Sequence, residues 1–311
     1  MSVLISIIIS TYNPNYNRLG RTLRALSAQT LAKNYWELIL VDNASSPAVN
    51  LADFIESLPI NMRLIMEPEL GLTAGRRRGF AEASSDLILL VDDDNELDSN
   101  YLKHVISIFN NYPDIGSIGG KVLPEFEGTP PQWMREFDGI LACRDYGDAP
   151  QIIPGNQRSP SGLPAYPPYA PIGAGMAIRR AALQHWLNNA MIDTLSDRRG
   201  KELTSGGDND IIFSLSENGW AVGYFPELSL THLIAASRTT VDYLGQLNHG
   251  IQKSWIHLLG KHKASPWPSI PAWTLPFRKA KAWVVYGAWT SQAAYVRWRG
   301  ACGHFEGRVL K

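Results

Sequence analysis

The sequence predicts an α/β protein with a mostly parallel central sheet flanked by helices and a helical C-terminal extension. Three observations predict it. Strand and helix patterns alternate through the first 120 residues. The strand-like runs are continuously apolar and β-branched, as strands buried on both faces are. Three of these runs end in polar clusters, and parallel sheets bind ligands at the carboxyl ends of their strands.

The elements follow in order. VLISIIIS at 3–10 is the first strand, and Asn17 caps a helix running to about residue 29. WELILV at 36–41 is a second strand, 48–58 a helix and 62–66 a short strand. Residues 73–83 read as a helix and DLILLV at 86–91 as a strand. Ser99 caps a helix to about residue 110, and 115–122 is another strand. Short links between alternating elements imply βαβ units. The pattern breaks at 124–171, which holds half of the 20 prolines; such a long irregular segment is usually a functional or flexible loop. GAGMAIRR at 173–180 is a strand entering a helix. A helix at 208–218 and strands near 221–225 and 228–231 follow. From about residue 240 the pattern is helical, with a Pro/Trp-rich break at 265–276. The expected division is a main unit over 1–240, split at 123/124, and an extension over 241–311.

Composition narrows the function classes. An apolar content of 45% with zero formal net charge excludes general disorder. No stretch approaches the roughly 20 apolar residues of a membrane-spanning helix. The opening MSVLISIIIS lacks a basic leader and runs into STYNPN, so it reads as a strand rather than a signal peptide. Two cysteines, Cys143 and Cys302, make neither a disulfide framework nor a zinc site, and a reducing cytoplasm is the expected setting. Charge is uneven. From Ile251 onward there are 10 of the 29 basic residues, one of the 29 acidic residues and six of the ten tryptophans. The body is therefore acidic, which disfavours nucleic acid as a partner.

The polar clusters are Ser10-Thr11-Tyr12-Asn13, Asp42-Asn43-Ala44-Ser45 and Asp92-Asp93-Asp94-Asn95. Any one of them is an ordinary turn or helix cap; three on neighbouring strand ends point to a site. Adjacent carboxylates repel and raise one another's pKa, so the triple aspartate is costly without a cation. In an extended segment Asp92 and Asp94 would face one ligand, with Asp93 turned aside. Carboxylate oxygens suit Mg²⁺ or Mn²⁺, which commonly bind one or two carboxylates plus phosphate oxygens and water. A solvated acidic turn is the competing reading of this motif alone.

Four blocks in order carry a resemblance: ISIIISTYN, LILVDNAS, GLTAGRRRGFAEA and LLVDDDNELDSNYL. Over roughly residues 4–243 the sequence resembles the family 2 glycosyltransferases, inverting nucleotide-sugar enzymes with the GT-A fold. The resemblance implies a nucleotide-binding half over 1–123 and an acceptor half over 124–240. It implies nucleotide-sugar contacts by Thr11, Asn13, Asp42, Arg76, Asp92 and Asp93, with Asp92 and Asp94 as the D-x-D acids and Asp94 on a divalent metal, Mn²⁺ or Mg²⁺. LTSGGDNDIIFSL resembles the later acidic motif, which places the catalytic base at Asp208. Gly207 stands where the family usually has a glutamate, and Asp210 is the rival base. Similar enzymes use a histidine near His232 as a further metal ligand, and Arg238 lies close enough in sequence to neutralise a diphosphate.

The reaction implied is transfer of a sugar from a nucleoside-diphosphate sugar to a hydroxyl of a glycan or lipid-linked glycan. The setting implied is bacterial cell-surface or exopolysaccharide synthesis in the cytoplasm or on the inner face of the membrane. Trp133, Tyr166 and Tyr169 are candidate sugar-stacking platforms in the irregular segment. The segment 278–299 reads in two ways. It is either an amphipathic helix on a membrane, with Trp283, Tyr286, Trp289 and Trp298 at the interface, or a helix packed on the main unit or on a second copy in a homo-oligomer. Two alternatives compete with the transferase. A sugar nucleotidyltransferase normally has a Gly-rich basic loop after its first strand, which STYNPNYNRLG lacks. An inactive nucleotide-sugar-binding module would explain the missing glutamate.

Overall fold

A computed structural model describes residues 3–52, 58–59, 61–189, 203 and 206–309. β1 (Ile5–Thr11), β2 (Trp36–Asp42), β3 (Met62–Met66) and β4 (Leu87–Leu90) pair in parallel in the order β3-β2-β1-β4. The short strand β5 (Asn95–Leu97) leads into β6 (Ile115–Phe126), followed by β7 (Gln151–Ile153), β8 (Ala177–Arg179) and β9 (Ala221–Ile234). The order continues β4-β8-β6-β9-β5, with β7 on β9. β6 and β9 are parallel to each other, and β8 runs antiparallel to both β4 and β6. The long strands therefore share one direction, and β5, β7 and β8 oppose them.

Alternation along the strands sorts the core into two layers. On one face Ile5, Ile7, Ile9, Leu38 and Leu40 pack against α1 (Tyr16–Ser27) and α3 (Tyr101–Asn111) through Leu19, Leu23, Val105 and Phe109. On the other, Ile8, Ile39, Val41 and Ile88 meet α2 (Leu72–Glu82), α4 (Arg180–Asn189) and α5 (Gly207–Glu217) through Phe80, Leu183, Trp186 and Ile211. Each fully buried side chain of this size contributes ~1.5–3 kcal/mol relative to an exposed one. Helices on both faces leave the strand ends as the place where polar groups can gather.

Several local expectations change. The helix α1 is capped by Asn15, not Asn17: Asn15 Oδ1 accepts from the N–H groups of Asn17 and Arg18 at 3.1 and 3.2 Å. The helix expected over 48–58 lies partly outside the described residues, and 48–52 is irregular. The strands expected near 221–225 and 228–231 are one strand, β9, which bulges over Gly120. A Cβ at Gly120 would lie 1.9 Å from Leu228 O, so the bulge needs a glycine there.

The extension comprises α6 (Val241–Lys261), α7 (Leu275–Val285) and α8 (Gln292–Gly307). α8 lies close on α6, where a Cβ at Gly303 would meet His249 O at 2.1 Å. The single helix expected over 278–299 is broken at Tyr286–Ser291, between α7 and α8. Among the described residues no helix is long and apolar enough to cross a membrane.

Candidate active site

The ends of β1, β2 and β4 open into a cleft with a cavity volume of ≈ 410 Å³. Thr11, Arg76, Asp92, Asp93, Asp94, Asp208, His232 and Arg238 all line it. Seven of these are residues singled out above from the nucleotide-binding, metal and base motifs, and Arg238 is the predicted diphosphate partner. They arrive from β1, α2, the turn after β4, α5, β9 and the segment before α6.

The triple aspartate is a turn rather than an extended segment, because the chain must reverse from β4 into the opposed strand β5. Asn95 N–H donates to Asp92 O at 3.2 Å, and the buried Asn95 side chain ties Asp92 N–H to Asp94 Oδ1. Alternation therefore does not apply, and the three acids diverge to separate partners. Asp92 Oδ1 lies 3.6 Å from Arg76 Nη2. Asp93 Oδ2 accepts from the Thr11 hydroxyl. Asp94 Oδ2 accepts from Arg238 Nη1 at 3.1 Å and lies 3.5 Å from His232 Nε2. Burial, then the Asp94 charge beside it, push the Asp93 carboxyl up to about 7, against the pull of the Thr11 hydroxyl.

Arg76 is placed by close packing. A Cβ on Gly75 would meet Ser10 Oγ at 2.1 Å, and one on Gly79 would meet Ile8 Cγ2 at 2.4 Å. These two glycines let α2 lie directly on β1, which buries Arg76 and aims it at the turn. Gly173 opposes it: a Cβ there would lie 2.2 Å from Arg76 Nη2.

Asp208 stands in the first turn of α5, where the N-cap is Gly206. Its Oδ1 accepts from Asn209 N–H and its Oδ2 from Gly173 N–H, both at 2.9 Å. The side chain thus helps satisfy the first turn and still faces the cleft. The rival Asp210 points the other way. It is buried and accepts from Trp186 Nε1 at 2.7 Å, Lys261 Nζ at 2.8 Å and His262 Nε2 at 2.9 Å. Asp210 therefore locks α5 to α4 and α6 and does not reach the cleft.

Two predicted nucleotide contacts lie off the cleft wall. Asp42 is buried, and its two oxygens accept from Ser45 N–H at 3.0 Å and Val49 N–H at 2.9 Å. Asn13, at φ 48°, links its loop to the next: Oδ1 accepts from Ser46 N–H at 2.9 Å and its own N–H donates to Ser45 Oγ at 2.8 Å. Both shape the loops after β1 and β2. The aromatic candidates also lie elsewhere. Trp133 packs on Phe137, Tyr166 on Phe213 and Trp255, and Tyr169 on Tyr146. The apolar wall comes instead from Ile140, Leu141, Leu247 and Ile251, which carry no chemical signature in the sequence. Tyr12, also on the wall, was visible only as the neighbour of Thr11.

Among the described residues no three His, Cys, Asp or Glu side chains form a ready-made metal cage. The donor set nevertheless fits an ion that shares its shell with phosphate oxygens and water. Arg238 Nη1 lies 3.2 Å from His232 Nε2. A guanidinium only donates, so the Arg238 contact calls for a lone pair on Nε2, and Nδ1 is buried without a partner among the described residues. Asp94 and His232 therefore present an oxygen and a nitrogen lone pair side by side, both now turned to Arg238.

The chain resembles known proteins in both sequence and fold. The profile described as Glycosyl transferase family 2 matches residues 6–187. A Haloferax volcanii protein named glucosyl-dolichyl phosphate glucuronosyltransferase is 20% identical over 245 residues, covering 77% of this chain and 72% of that one. The Bacillus subtilis protein YwdF, named an uncharacterized glycosyltransferase, is 38% identical over 91 residues, covering 29% of this chain and 32% of its own. The crystal structure of S. aureus TarS 1-349 matches with a TM-score of 0.51 at 14% identity, covering 98% of this chain and 90% of that chain. A structure of TarS 1-349 with UDP-GlcNAc matches with a TM-score of 0.51 at 13% identity. The architecture is thus the GT-A arrangement expected from the sequence, and the nucleotidyltransferase and inactive-module alternatives are not favoured. The chain is a glycosyltransferase enzyme and belongs to Glycosyl transferase family 2.

Proposed function

We propose that the enzyme inverts the anomeric centre of a nucleoside-diphosphate sugar in one displacement by an acceptor hydroxyl. The observation that carries this reading is one cleft lined both by the aspartates after β4 and by Asp208 on α5. The acceptor oxygen bonds to the anomeric carbon, the bond from that carbon to the diphosphate breaks, and the hydroxyl proton passes to Asp208. The Gly173 N–H fixes one carboxylate oxygen of Asp208, so the side chain is oriented before the acceptor arrives. General-base help of this kind contributes roughly 10²–10⁴-fold. Arg76 and Arg238 place two guanidinium groups where the departing diphosphate gathers charge.

Asp94 and His232 would hold a divalent ion, Mn²⁺ or Mg²⁺, which when bound acts as a Lewis acid on the leaving diphosphate. Asp92 and Asp93 would bind the ribose or donor sugar, with Thr11 holding Asp93 in place. Asp42 and Asn13 would support the base by shaping its loops. The structures of TarS with UDP and with UDP-GlcNAc support a nucleoside diphosphate-sugar as donor. The likeness to the Haloferax protein named glucosyl-dolichyl phosphate glucuronosyltransferase supports a lipid-linked sugar as acceptor. That chemistry suits cell-surface or exopolysaccharide synthesis on the cytoplasmic side of a membrane.

Two measurements test the reading. Thermal melting with a panel of nucleoside diphosphates, with and without Mn²⁺, should rise for the cognate nucleotide, since a ligand bound only by the folded state stabilises it by mass action. The anomeric configuration of the transferred sugar, read by NMR, should be opposite to that of the donor. Retention of configuration would sink the single-displacement mechanism.

A further inference from the structure

We propose that the outer face of α7 and the turns on either side of it dock on an anionic lipid bilayer. This surface is separate from the cleft and stands whether or not the transfer mechanism above is correct. The inner face of α7 is spoken for. Ala282 is buried, Trp283 packs edge-on against Trp298 at 4.8 Å, and Lys279 Nζ reaches Glu306 at 2.7 Å. The outer face is apolar and open to solvent. Phe277 is 70% exposed, Val284 65% and Val285 69%, with Trp273 (73%) just before the helix and Trp289 (61%) just after it. Positions 277, 281, 284 and 285 fall on one side of a helix, so with Lys281 they make one stripe. Single exposed apolar residues are ordinary on a protein surface; a contiguous set of this kind marks an interaction site.

Charge identifies the occupant. Glu306, the only acid after residue 251, is already bound to Lys279, His249 and Lys253. Among the described residues no carboxylate pairs with Arg278, Lys281 or Arg308. Arg278 spends its Nε on Thr274 Oγ1, and Arg308 spends its Nε on Pro268 O. Burial and then the neighbouring Arg278 charge hold Arg308 below the ordinary arginine value. The patch is thus tryptophan, phenylalanine and valine framed by uncompensated cations. A bilayer with anionic headgroups answers both features at once: the aromatic rings enter the headgroup–acyl boundary and the cations meet the phosphates. A second copy meeting this face through a two-fold axis would set the same cations against each other. The structure also corrects which aromatics lie outside. Trp283 and Trp298 are turned inward against each other, Trp298 donating from Nε1 to Lys279 O at 3.1 Å, while Tyr286 and Trp289 lie outside as expected and are joined there by Trp273 and Phe277.

The placement matters for function because α7 packs on α8, α8 packs on α6, and α6 supplies Leu247 and Ile251 to the cleft wall. Docking through α7 would bring the enzyme to the surface where a lipid-linked acceptor resides.

Co-sedimentation with vesicles tests the proposal. The full chain should pellet with vesicles of phosphatidylglycerol and phosphatidylcholine about tenfold more than with phosphatidylcholine alone, and 0.5 M salt should remove most of that excess by screening. The triple variant Trp273→Ala, Phe277→Ser, Trp289→Ala changes exposed side chains only. It should keep the wild-type melting temperature and nucleotide-diphosphate shift yet lose vesicle binding about tenfold. Arg278→Gln with Lys281→Gln should lower binding to the anionic vesicles and leave the weak binding to phosphatidylcholine unchanged. Equal pelleting of wild type and triple variant would overturn the proposal, as would no pelleting with anionic vesicles at low salt. A concentration-dependent dimer, lost in the triple variant and indifferent to vesicles, would assign the patch to self-association instead.

Discussion

Gly173 donates its backbone N–H to Asp208 Oδ2 at 2.9 Å, and its missing side chain leaves the space that Arg76 Nη2 fills. One residue thus serves both sides of the cleft. It fixes a carboxylate on α5 and makes room for a cation on α2.

The Asp208→Asn variant separates orientation from proton transfer. The amide oxygen can still accept from Gly173 N–H, with only the bond from the adjacent Asn209 N–H lost, so the fold should hold, while the amide cannot take a proton at neutral pH. Turnover should fall by roughly 10²–10⁴-fold. Nucleotide-diphosphate affinity, measured by calorimetry, should stay within about twofold, because only the transition-state interaction is removed. Near-normal turnover would remove Asp208 from the role of base.

Gly173→Ala should act through Arg76. The added Cβ would sit 2.2 Å from Nη2, so the guanidinium must move away from Asp92. We expect a raised donor KM with the folded state largely intact, since the atom displaced is the end of a flexible side chain. In the Arg76→Ala background the same change should cost little more. Such non-additivity is the signature of two residues sharing one space. Additive losses in the double-mutant cycle would show that Gly173 acts by some other route.

Much of this was legible in the sequence, for reasons that differ element by element. The runs WELILV and DLILLV read as strands buried on two faces, and they are β2 and β4 with both faces covered. Asp92, Asp93 and Asp94 were legible as a cluster, because three adjacent charges are costly anywhere else. Their directions were not legible: alternation assumes an extended chain, and the reversal into β5 makes a turn. Asp42 and Asn13 show a second limit. Their side chains match those of a nucleotide site in type, yet the sequence cannot say that neighbouring loop N–H groups already occupy their oxygens. Leu247 and Ile251 show a third. A wall residue drawn from a helix more than 150 positions after Asp92 has no local pattern to announce it. The same applies to Trp298, which periodicity could not distinguish from an exposed tryptophan until α7 and α8 were folded against each other.

Asp94→Ala tests the cation. The substitution removes the partner of Arg238 and one of the two side-by-side donors. If Asp94 and His232 hold a divalent ion, the increment in melting temperature that Mn²⁺ adds to a bound nucleoside diphosphate should vanish in this variant. The metal-free increment should persist or grow, since Arg238 is then released toward the diphosphate. A Mn²⁺ increment of wild-type size would exclude Asp94 as a ligand.

The last prediction concerns the lock behind the base. Asp210 is two residues beyond Asp208 on the opposite face of α5, and it is bound by Trp186, Lys261 and His262. His262 stacks on Phe213 at 4.3 Å and reaches Glu217 at 2.7 Å through its other nitrogen. Burial alone would lower the His262 pKa, but its bonds to Asp210 and Glu217 outweigh that and raise it above 6.5. Burial alone would raise Asp210, but His262, Lys261 and Trp186 hold it below 3.8. The signs follow. The contribution of His262 is complete below pH 6.5 and is lost as pH rises through its higher folded value. That of Asp210 is complete above 3.8 and is lost as pH falls through its lower folded value. Melting temperature should therefore decline as pH rises from 6.5, and His262→Gln should flatten that slope while lowering the plateau. Asp210→Asn should cost about 3–5 kcal/mol in urea unfolding at pH 6, the usual penalty for leaving buried cations without their carboxylate. An unchanged alkaline slope in His262→Gln would mean that another group titrates there.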